Sequence, residues 1–202
     1  MGLYRTLFLP RLIDMAMKNK ATGQCRARVI PRAAGRVLEV GIGSGLNLPF
    51  YGGGVSEVYG IDPSAQLLKM AARKTDGRAF AVHLLRESAE QISLPGASID
   101  TVVLTWALCT IPDAPRALRE MRRVLKPGGR LIFAEHGLSP DRKVQTWQQR
   151  LNPLWRRIAG GCNINRKIDK LLVSAGFKIA ELQNSYLPGP RILTYTFEGI
   201  AA

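Results

Sequence analysis

The 202-residue sequence predicts an α/β fold, with a mostly parallel sheet and helices on both of its faces. Two observations indicate this fold. Short apolar segments of strand character alternate with segments that have helical spacing, and a glycine-rich turn follows the first strand. Two further strands around a Pro-Gly-Pro turn predict an antiparallel end to the sheet. The length suits one domain over residues 1–202 with a sizeable core.

Residues 1–30 are expected to form an N-terminal helical cap. After Pro10 the apolar residues recur with helical spacing, so one face of the helix is apolar and the other is charged. The apolar positions are Leu12, Ile13, Ala16 and Met17. A short basic amphipathic helix suits two roles, which are covering a site and resting on an anionic membrane.

Residues 36–45, reading RVLEVGIGSG, predict the first strand and its glycine turn. Glu39 falls among apolar residues, where a carboxylate needs polar partners. Leu46 stands where the dinucleotide fingerprint G-x-G-x-x-G has its third glycine, which argues against a nicotinamide oxidoreductase. The glycines present are Gly41, Gly43 and Gly45.

The later elements follow in order along the chain. VYGIDPS at residues 58–64 predicts a second strand that ends in Asp62. The other predicted strands are residues 79–85, 98–108, the end of 117–136, 178–186 and 192–200, and helices are expected over 65–74 and 115–125. In an open α/β sheet a ligand binds beyond the carboxyl ends of the strands, so the residues after each strand are the candidate site.

The net charge of +14 predicts a basic surface. Such a surface attracts anions, namely nucleic acid, anionic lipid or an acidic substrate, unless it is only a solvated face. No apolar run approaches 18 residues and no signal peptide is recognisable, so the expected location is cytoplasmic, with peripheral contact at the inner membrane surface as an option.

The three cysteines, Cys25, Cys109 and Cys162, are scattered, and the chain has only two histidines. Neither a disulfide framework nor a zinc-ligand spacing is recognisable. The sequence therefore predicts no metal site, and each cysteine by itself is expected to be a small buried hydrophobe.

The run E-x-G-x-G-x-G, followed in order by Asp62 and by the later strands, resembles motif I and the succeeding landmarks of the class I methyltransferases that use S-adenosylmethionine. The resemblance extends over about residues 36–136. It implies an enzyme with a Rossmann-like sheet of seven strands, an antiparallel C-terminal strand and S-adenosyl-L-methionine as cofactor.

By this resemblance Glu39 would meet the cofactor's ammonium group, and Asp62 would accept hydrogen bonds from both ribose hydroxyls. Ser88 stands where the family often has Asp, which leaves the adenine contact open. The full set implied to bind the cofactor is Glu39, Gly41, Gly43, Gly45, Asn47, Asp62, Pro63, Ser88, Ala89, Glu90, Thr105 and Trp106.

Two residues are candidates for catalysis. His136 directly follows the fifth strand and could act as a base, and Cys109 lies on the loop after the fourth strand, where it could face the acceptor. A structural role remains the alternative for both. The electrophile of a methyl sulfonium is already activated, so a base is optional.

Four further segments resemble bacterial relatives of the animal methyltransferase-like proteins that methylate alkyl thiols. They are WALCTIPD (106–113), EHGLSPD (135–141), residues 147–166 and YLPGP (186–190). The implied acceptor is small and lipophilic, such as a thiol, and residues 138–165 are expected to form a lid insertion. The expected walls of the acceptor pocket are Trp106, Leu108, Cys109, Trp147, Leu154 and Trp155.

Two other acceptors remain as alternatives. A phospholipid N-methyltransferase acting on phosphatidylethanolamine would fit the charge and the amphipathic start of the chain. An RNA methyltransferase would fit the charge, but the chain has no appended RNA-binding module, and TWALC stands where base-amino methyltransferases have N/D-P-P-Y/F.

Overall fold

The computed structural model describes residues 8–202 and confirms the predicted fold class. Seven strands form one sheet in the order β3-β2-β1-β4-β5-β7-β6, in which β7 is antiparallel to both of its neighbours. The strands are β1 Gly35–Val40, β2 Val55–Ile61, β3 Ala81–Leu85, β4 Ile99–Thr105, β5 Leu125–His136, β6 Ile179–Tyr186 and β7 Tyr195–Ala201. The first seven residues of the predicted cap lie outside the described part.

Seven α-helices accompany the strands of the described chain. They are α1 Leu9–Ala16, α2 Lys20–Val29, α3 Ala65–Ala72, α4 Ala114–Val124, α5 Arg142–Ile158, α6 Ile168–Ser174 and α7 Arg191–Thr194. The last strand begins three residues later than predicted because α7 occupies the residues that follow Pro190. Within residues 8–202, no helix has the length and apolar character needed to cross a membrane.

Two apolar clusters cover the two faces of the sheet. One joins β4 to α4 and α6 through residues such as Leu118 and Leu172, and the other joins β1 to α2 and α3 through Cys25 and Leu68. The central strand β4 is buried along nearly its whole length. The helices on both faces thus match the expectation for a parallel sheet.

The long helix α5 turns polar residues toward the interior. Gln148 Nε2 donates to the carbonyl oxygens of Gly137 and Ile164, and Asn152 Oδ1 accepts from the Ile164 N–H at 2.9 Å. These amides satisfy backbone groups that would otherwise be buried without partners. Residues 137–165 are thereby fixed against the end of β5.

Candidate active site

Asp62 braces the glycine turn at the carboxyl end of the sheet. The backbone N–H groups of Gly43 and Ser64 donate to its carboxylate at 3.0 and 2.8 Å. The side chain is 93% buried and it directly follows β2, next to the end of β1. A carboxylate held in this way is preorganised to accept further donors.

The three glycines of the turn serve different purposes. A Cβ on Gly41 would lie 2.4 Å from Ala107 Cβ, and one on Gly45 would lie 3.0 Å from Leu48. A Cβ on Gly43 would meet only Gly41 O, at 3.9 Å. Close packing within the protein therefore explains two of the glycines, and Gly43 is the one that leaves open space for a ligand.

Glu39 lies at the centre of a buried polar network. Tyr51 Oη donates to one of its oxygens at 2.7 Å, and Asn47 Nδ2 donates to the other at 2.9 Å. Asn47 also donates to Thr105 Oγ1 at 2.9 Å, which ties β1 to the end of β4. Burial raises the pKa of Glu39 to about 7 even though both donors and Arg26 favour the carboxylate.

Arg26 joins this network from helix α2, and sequence reasoning missed it. Its Nε donates to Asn47 Oδ1 at 3.0 Å, and its guanidinium lies 4.9 Å from the ring centroid of Trp106. The side chain is 95% buried. A buried guanidinium beside Glu39 gives the site a fixed positive charge.

Asp14, a second residue that sequence reasoning missed, attaches helix α1 to the glycine turn. Ser44 Oγ donates to the buried Asp14 Oδ1 at 2.5 Å, and Lys18 Nζ contacts the other oxygen at 2.6 Å. Lys74 donates to the Ser44 carbonyl. The predicted cap therefore rests directly on the turn.

The residues assigned to the adenine lie farther along the sheet edge, after β3. Ser88 Oγ donates to Glu90 Oε2 at 3.0 Å, and Glu90 Oε1 accepts from the Asp113 N–H at 2.6 Å. Ala89 is buried, and Pro63 is exposed beside Asp62. Their assignment to the cofactor stays a prediction.

Two adjoining pockets share walls at this end of the sheet. The first is about 80 Å³ and is lined by Glu39, Gly43 and Arg26, among others. The second is a cavity of about 590 Å³, within the range of roughly 300–1,000 Å³ usual for small-molecule sites. Ile13, Met17 and Trp106 line both.

Trp106 adopts an unusual backbone conformation where the two pockets meet. Its φ is +47°, which is rare for a bulky residue and is a local strain found mainly at functional sites. Glu135 supports the bend, because its Oε1 accepts from the N–H groups of Ala107 and Leu108 at 2.7 and 3.0 Å.

The larger cavity has apolar walls. Among the described residues, no Asp, Glu, Lys or Arg lines it. Of the walls predicted from sequence, Trp106, Cys109 and Trp155 do line it. Leu108 is instead fully buried in the core, and Trp147 and Leu154 are more than half exposed. Residues of α7 and the loop before it, which were not predicted, complete the wall.

Cys109, His136 and Cys162 meet in the wall of this cavity. His136 Nε2 lies 3.3 Å from Cys162 Sγ, and the three ligand-type atoms all lie within 4.8 Å of one another. The pKa of the Cys162 thiol is lowered, most strongly by a hydrogen bond with Cys109 and less strongly by one with His136. Sequence reasoning named His136 and Cys109 but left Cys162 as one scattered cysteine.

Comparison with known proteins gives one family match, and it is described as a methyltransferase domain. The match covers residues 38–133, which run from β1 into β5. Thiol S-methyltransferase TMT1B of Rattus norvegicus is 35% identical over 161 residues, which is 76% of this chain and 64% of the relative. The chain thus spans just under two thirds of that protein's length.

Two further similarities are informative. The phosphatidylethanolamine N-methyltransferase of Cereibacter sphaeroides is 38% identical over 104 residues, about half of each chain. A chain from a complex of the Haloferax volcanii Trm112 methyltransferase activator with a methyltransferase superposes with a TM-score of 0.74 at 18% identity. That superposition covers 100% of this chain and 98% of the other, and at such low identity it supports the fold alone.

Proposed function

The chain belongs to the class I S-adenosylmethionine-dependent methyltransferases, and from that premise we propose that it methylates a small, neutral, lipophilic acceptor of the thiol class. The observation that supports this most is the pair of adjoining pockets. One has polar groups expected around the cofactor, and the other is a cavity in which no charged residue of the described range 8–202 lines the wall. They share Trp106, so a methyl donor in one would face an acceptor in the other.

Glu39 and Arg26 in the first pocket, with Asp62 bound to the Gly43 N–H beside it, fit the chemical groups of S-adenosylmethionine. We propose that Asp62 accepts from the ribose hydroxyls, that Glu39 meets the ammonium group and that Arg26 pairs with the carboxylate. The pocket is too small to enclose the whole molecule, so the nucleoside would extend along the strand ends toward residues 88–90. When bound, the cofactor supplies an activated methyl group on a sulfonium.

The walls of the larger cavity support a neutral acceptor. A phospholipid headgroup would bring a phosphate, and a buried phosphate needs cationic or multiple hydrogen-bond partners. From residues 8–202 the cavity receives threonine hydroxyls and the Cys109, His136 and Cys162 cluster but no lysine or arginine. A thiol on an apolar body needs no cationic partner and no set of hydrogen-bond donors. Its thiolate is the form that attacks the methyl group.

The protein's share of the reaction is alignment and exclusion of water. Trp106 and helix α1 would hold the acceptor against the methyl group. The acceptor's sulfur would form the new bond to the methyl carbon as that carbon's bond to the sulfonium breaks, and the thiol proton would pass to His136 or to solvent. We keep Cys109 and His136 as the proposed catalytic residues because both line the acceptor cavity.

A panel of acceptors tests this proposal. Methyl transfer from labelled cofactor would be measured to an alkyl thiol, the matched alcohol and amine, phosphatidylethanolamine vesicles and RNA. We expect transfer to the alkyl thiol only, with activity rising as the alkyl chain lengthens. Transfer to phosphatidylethanolamine and to no thiol would reject the proposal and favour the phospholipid alternative.

Cofactor binding should strengthen as pH rises through about 7. The raised pKa of Glu39 means that the free protein carries a proton there below that pH, whereas an ammonium ligand favours the carboxylate. The charged or titratable groups facing it are Tyr51, Arg26 and Asp62. Calorimetry at pH 6 and 8 should show weaker binding at pH 6, by up to about tenfold per pH unit.

Glu39→Gln is the control for this pH dependence. The amide keeps the shape, its oxygen can still accept from Asn47 and its NH2 can donate to Tyr51 Oη, but it cannot titrate. The variant should therefore bind more weakly and equally at both pH values. A wild-type affinity that does not change between pH 6 and 8 would contradict the role of Glu39.

Helix α1 should also attach the protein to anionic membranes. Phe8, Leu12 and Met15 are exposed, and Arg11 and Lys18 lie close along the chain. Flotation with anionic vesicles should show binding at low salt that weakens at moderate salt, and Met15→Glu should reduce it. Absence of binding at both salt concentrations would contradict the prediction.

A further inference from the structure

Three side chains of metal-ligand type converge in the wall of the acceptor cavity. Cys109 follows β4, His136 ends β5, and Cys162 lies beyond α5, so the fold unites residues that are 27 and 26 positions apart. Their ligand atoms all lie within 4.8 Å of one another, and Cys162 Sγ is 3.3 Å from His136 Nε2.

These distances suit a tetrahedral zinc ion. With Zn–S near 2.3 Å and Zn–N near 2.0 Å, a tetrahedral site holds its sulfur ligands about 3.8 Å apart and sulfur from nitrogen about 3.5 Å apart. The longest separation in the cluster would therefore have to shorten by about 1.3 Å at most. Two thiolates and an imidazole also match the soft donor set that selects zinc.

A buried carboxylate next to the cluster has one oxygen that a nearby positive charge would stabilise. In the described part of the chain, Glu135 Oε2 is a buried carboxylate oxygen without a hydrogen-bond partner. Glu135 directly precedes His136, and Trp155, which lines the same cavity, interacts with the Cys162 sulfur and favours its thiolate. Nearby, Arg166 donates to the carbonyls of Leu108 and Ile111 and would balance negative charge on the sulfurs.

We propose that Cys109, His136 and Cys162 bind one zinc ion whose fourth coordination position opens into the acceptor cavity. All three residues line that cavity, and three protein ligands with one open position characterise catalytic zinc sites. The part of this proposal that concerns the acceptor rests on the proposed function: a thiol would occupy the open position as a thiolate.

Methyl transfer at such a zinc site requires no reactant besides the thiol and S-adenosylmethionine. A thiol that coordinates zinc loses its proton to solvent, because the metal lowers its pKa. The sulfur then takes the methyl group from the sulfonium, which leaves as the neutral thioether S-adenosylhomocysteine. The methylated acceptor is a weaker ligand than the thiolate, so the open position is released for the next acceptor.

Metal analysis tests the site without relying on activity. Protein expressed with added zinc and then dialysed would be analysed by mass spectrometry of its metal content. We expect about one zinc per chain in the wild type, and less than about a tenth of that in Cys109→Ala and Cys162→Ala. Substitution by Co²⁺ should give visible bands of tetrahedral cobalt and a thiolate charge-transfer band.

Cys25→Ala is the matched control. Cys25 is fully buried on α2 away from the cluster, and burial raises its pKa to about 12. This variant should keep the wild-type zinc content and cobalt spectrum. Unchanged cofactor affinity in the cluster variants would show that they fold. Equal zinc content in the wild type and the Cys109→Ala/Cys162→Ala double variant would overturn the proposal.

His136→Ala separates a ligand from a base. Loss of a ligand should leave the variant low in zinc and slow at every pH. A variant that keeps its zinc and regains the wild-type rate at alkaline pH would overturn the assignment. The two proposals fail separately: zinc without thiol methylation rejects the thiol acceptor, whereas thiol methylation without zinc rejects only the metal site.

Discussion

Asp62→Ala is expected to weaken the binding of S-adenosylmethionine by at least about a hundredfold. The proposed contacts are two charge-assisted hydrogen bonds from the ribose, each worth roughly 1.5–3 kcal/mol, and each 1.4 kcal/mol is a factor of ten. The change also removes the acceptor of the Gly43 and Ser64 N–H groups, which would loosen the glycine turn. Titration calorimetry measures the effect directly.

Two further variants serve as controls for the Asp62→Ala measurement. Asp62→Asn keeps one acceptor oxygen without the charge, so its affinity should fall between the wild type and Asp62→Ala. Glu181→Ala removes an exposed carboxylate on β6 and should bind as the wild type does. Cofactor affinity that is unchanged in Asp62→Ala would reject the ribose assignment.

Gly41→Ala is expected to destabilise the protein by about 2–5 kcal/mol, the sum of a left-handed backbone and overpacking. The residue has φ +72°, and the added Cβ would lie 2.4 Å from that of Ala107. For a domain of this size each kcal/mol lowers Tm by about 2–4 °C. Thermal unfolding of the cofactor-free protein measures the change without the contribution of ligand binding.

Gly23→Ala provides a matched control for the glycine substitution. Gly23 lies inside α2, and a Cβ there would meet nothing within 4 Å. Because alanine favours a helix, this variant should be more stable than the wild type by about 0.5–1 kcal/mol. If Gly41→Ala unfolded at the wild-type temperature, the packing of Ala107 against the turn could not be as described.

The sequence alone was sufficient to predict the sheet and much of the glycine turn. Strand segments have local apolar patterns, and a carboxylate inside one of them, at Glu39, is conspicuous because it must be satisfied. Tyr51 and Asn47, which lie a few residues further along the chain, donate the hydrogen bonds that Glu39 needs. Such features are local, so they are visible without the tertiary structure.

Arg26, Asp14 and Cys162 could not have been identified in this way. Each acquires its surroundings from a distant segment: Arg26 from Asn47 and Trp106, Asp14 from Ser44, and Cys162 from His136. In the sequence, the first two belong to an ordinary basic amphipathic region and the third is an isolated cysteine. Only the packing of helices on the sheet brings these partners together.

Two of the three incorrectly predicted cavity walls, Trp147 and Leu154, have a specific cause in α5. Hydropathy places Trp147 and Leu154 inside and the amides outside, whereas in the structure Gln148 and Asn152 are buried and both apolar residues are exposed. The amides lie inside because the irregular backbone of residues 137–139 and 164 needs hydrogen-bond partners there. Backbone requirements therefore outweighed hydrophobic patterning on this helix.

Helix α1 has a consequence for the kinetics of turnover. Its Ile13, with Met17 just beyond its end, lines both pockets, and Asp14 ties it to Ser44 of the glycine turn. We therefore expect the spent cofactor and the methylated product to leave after the same displacement of one helix. The frequency of that displacement would set a common upper limit on kcat for all acceptors, however reactive they are.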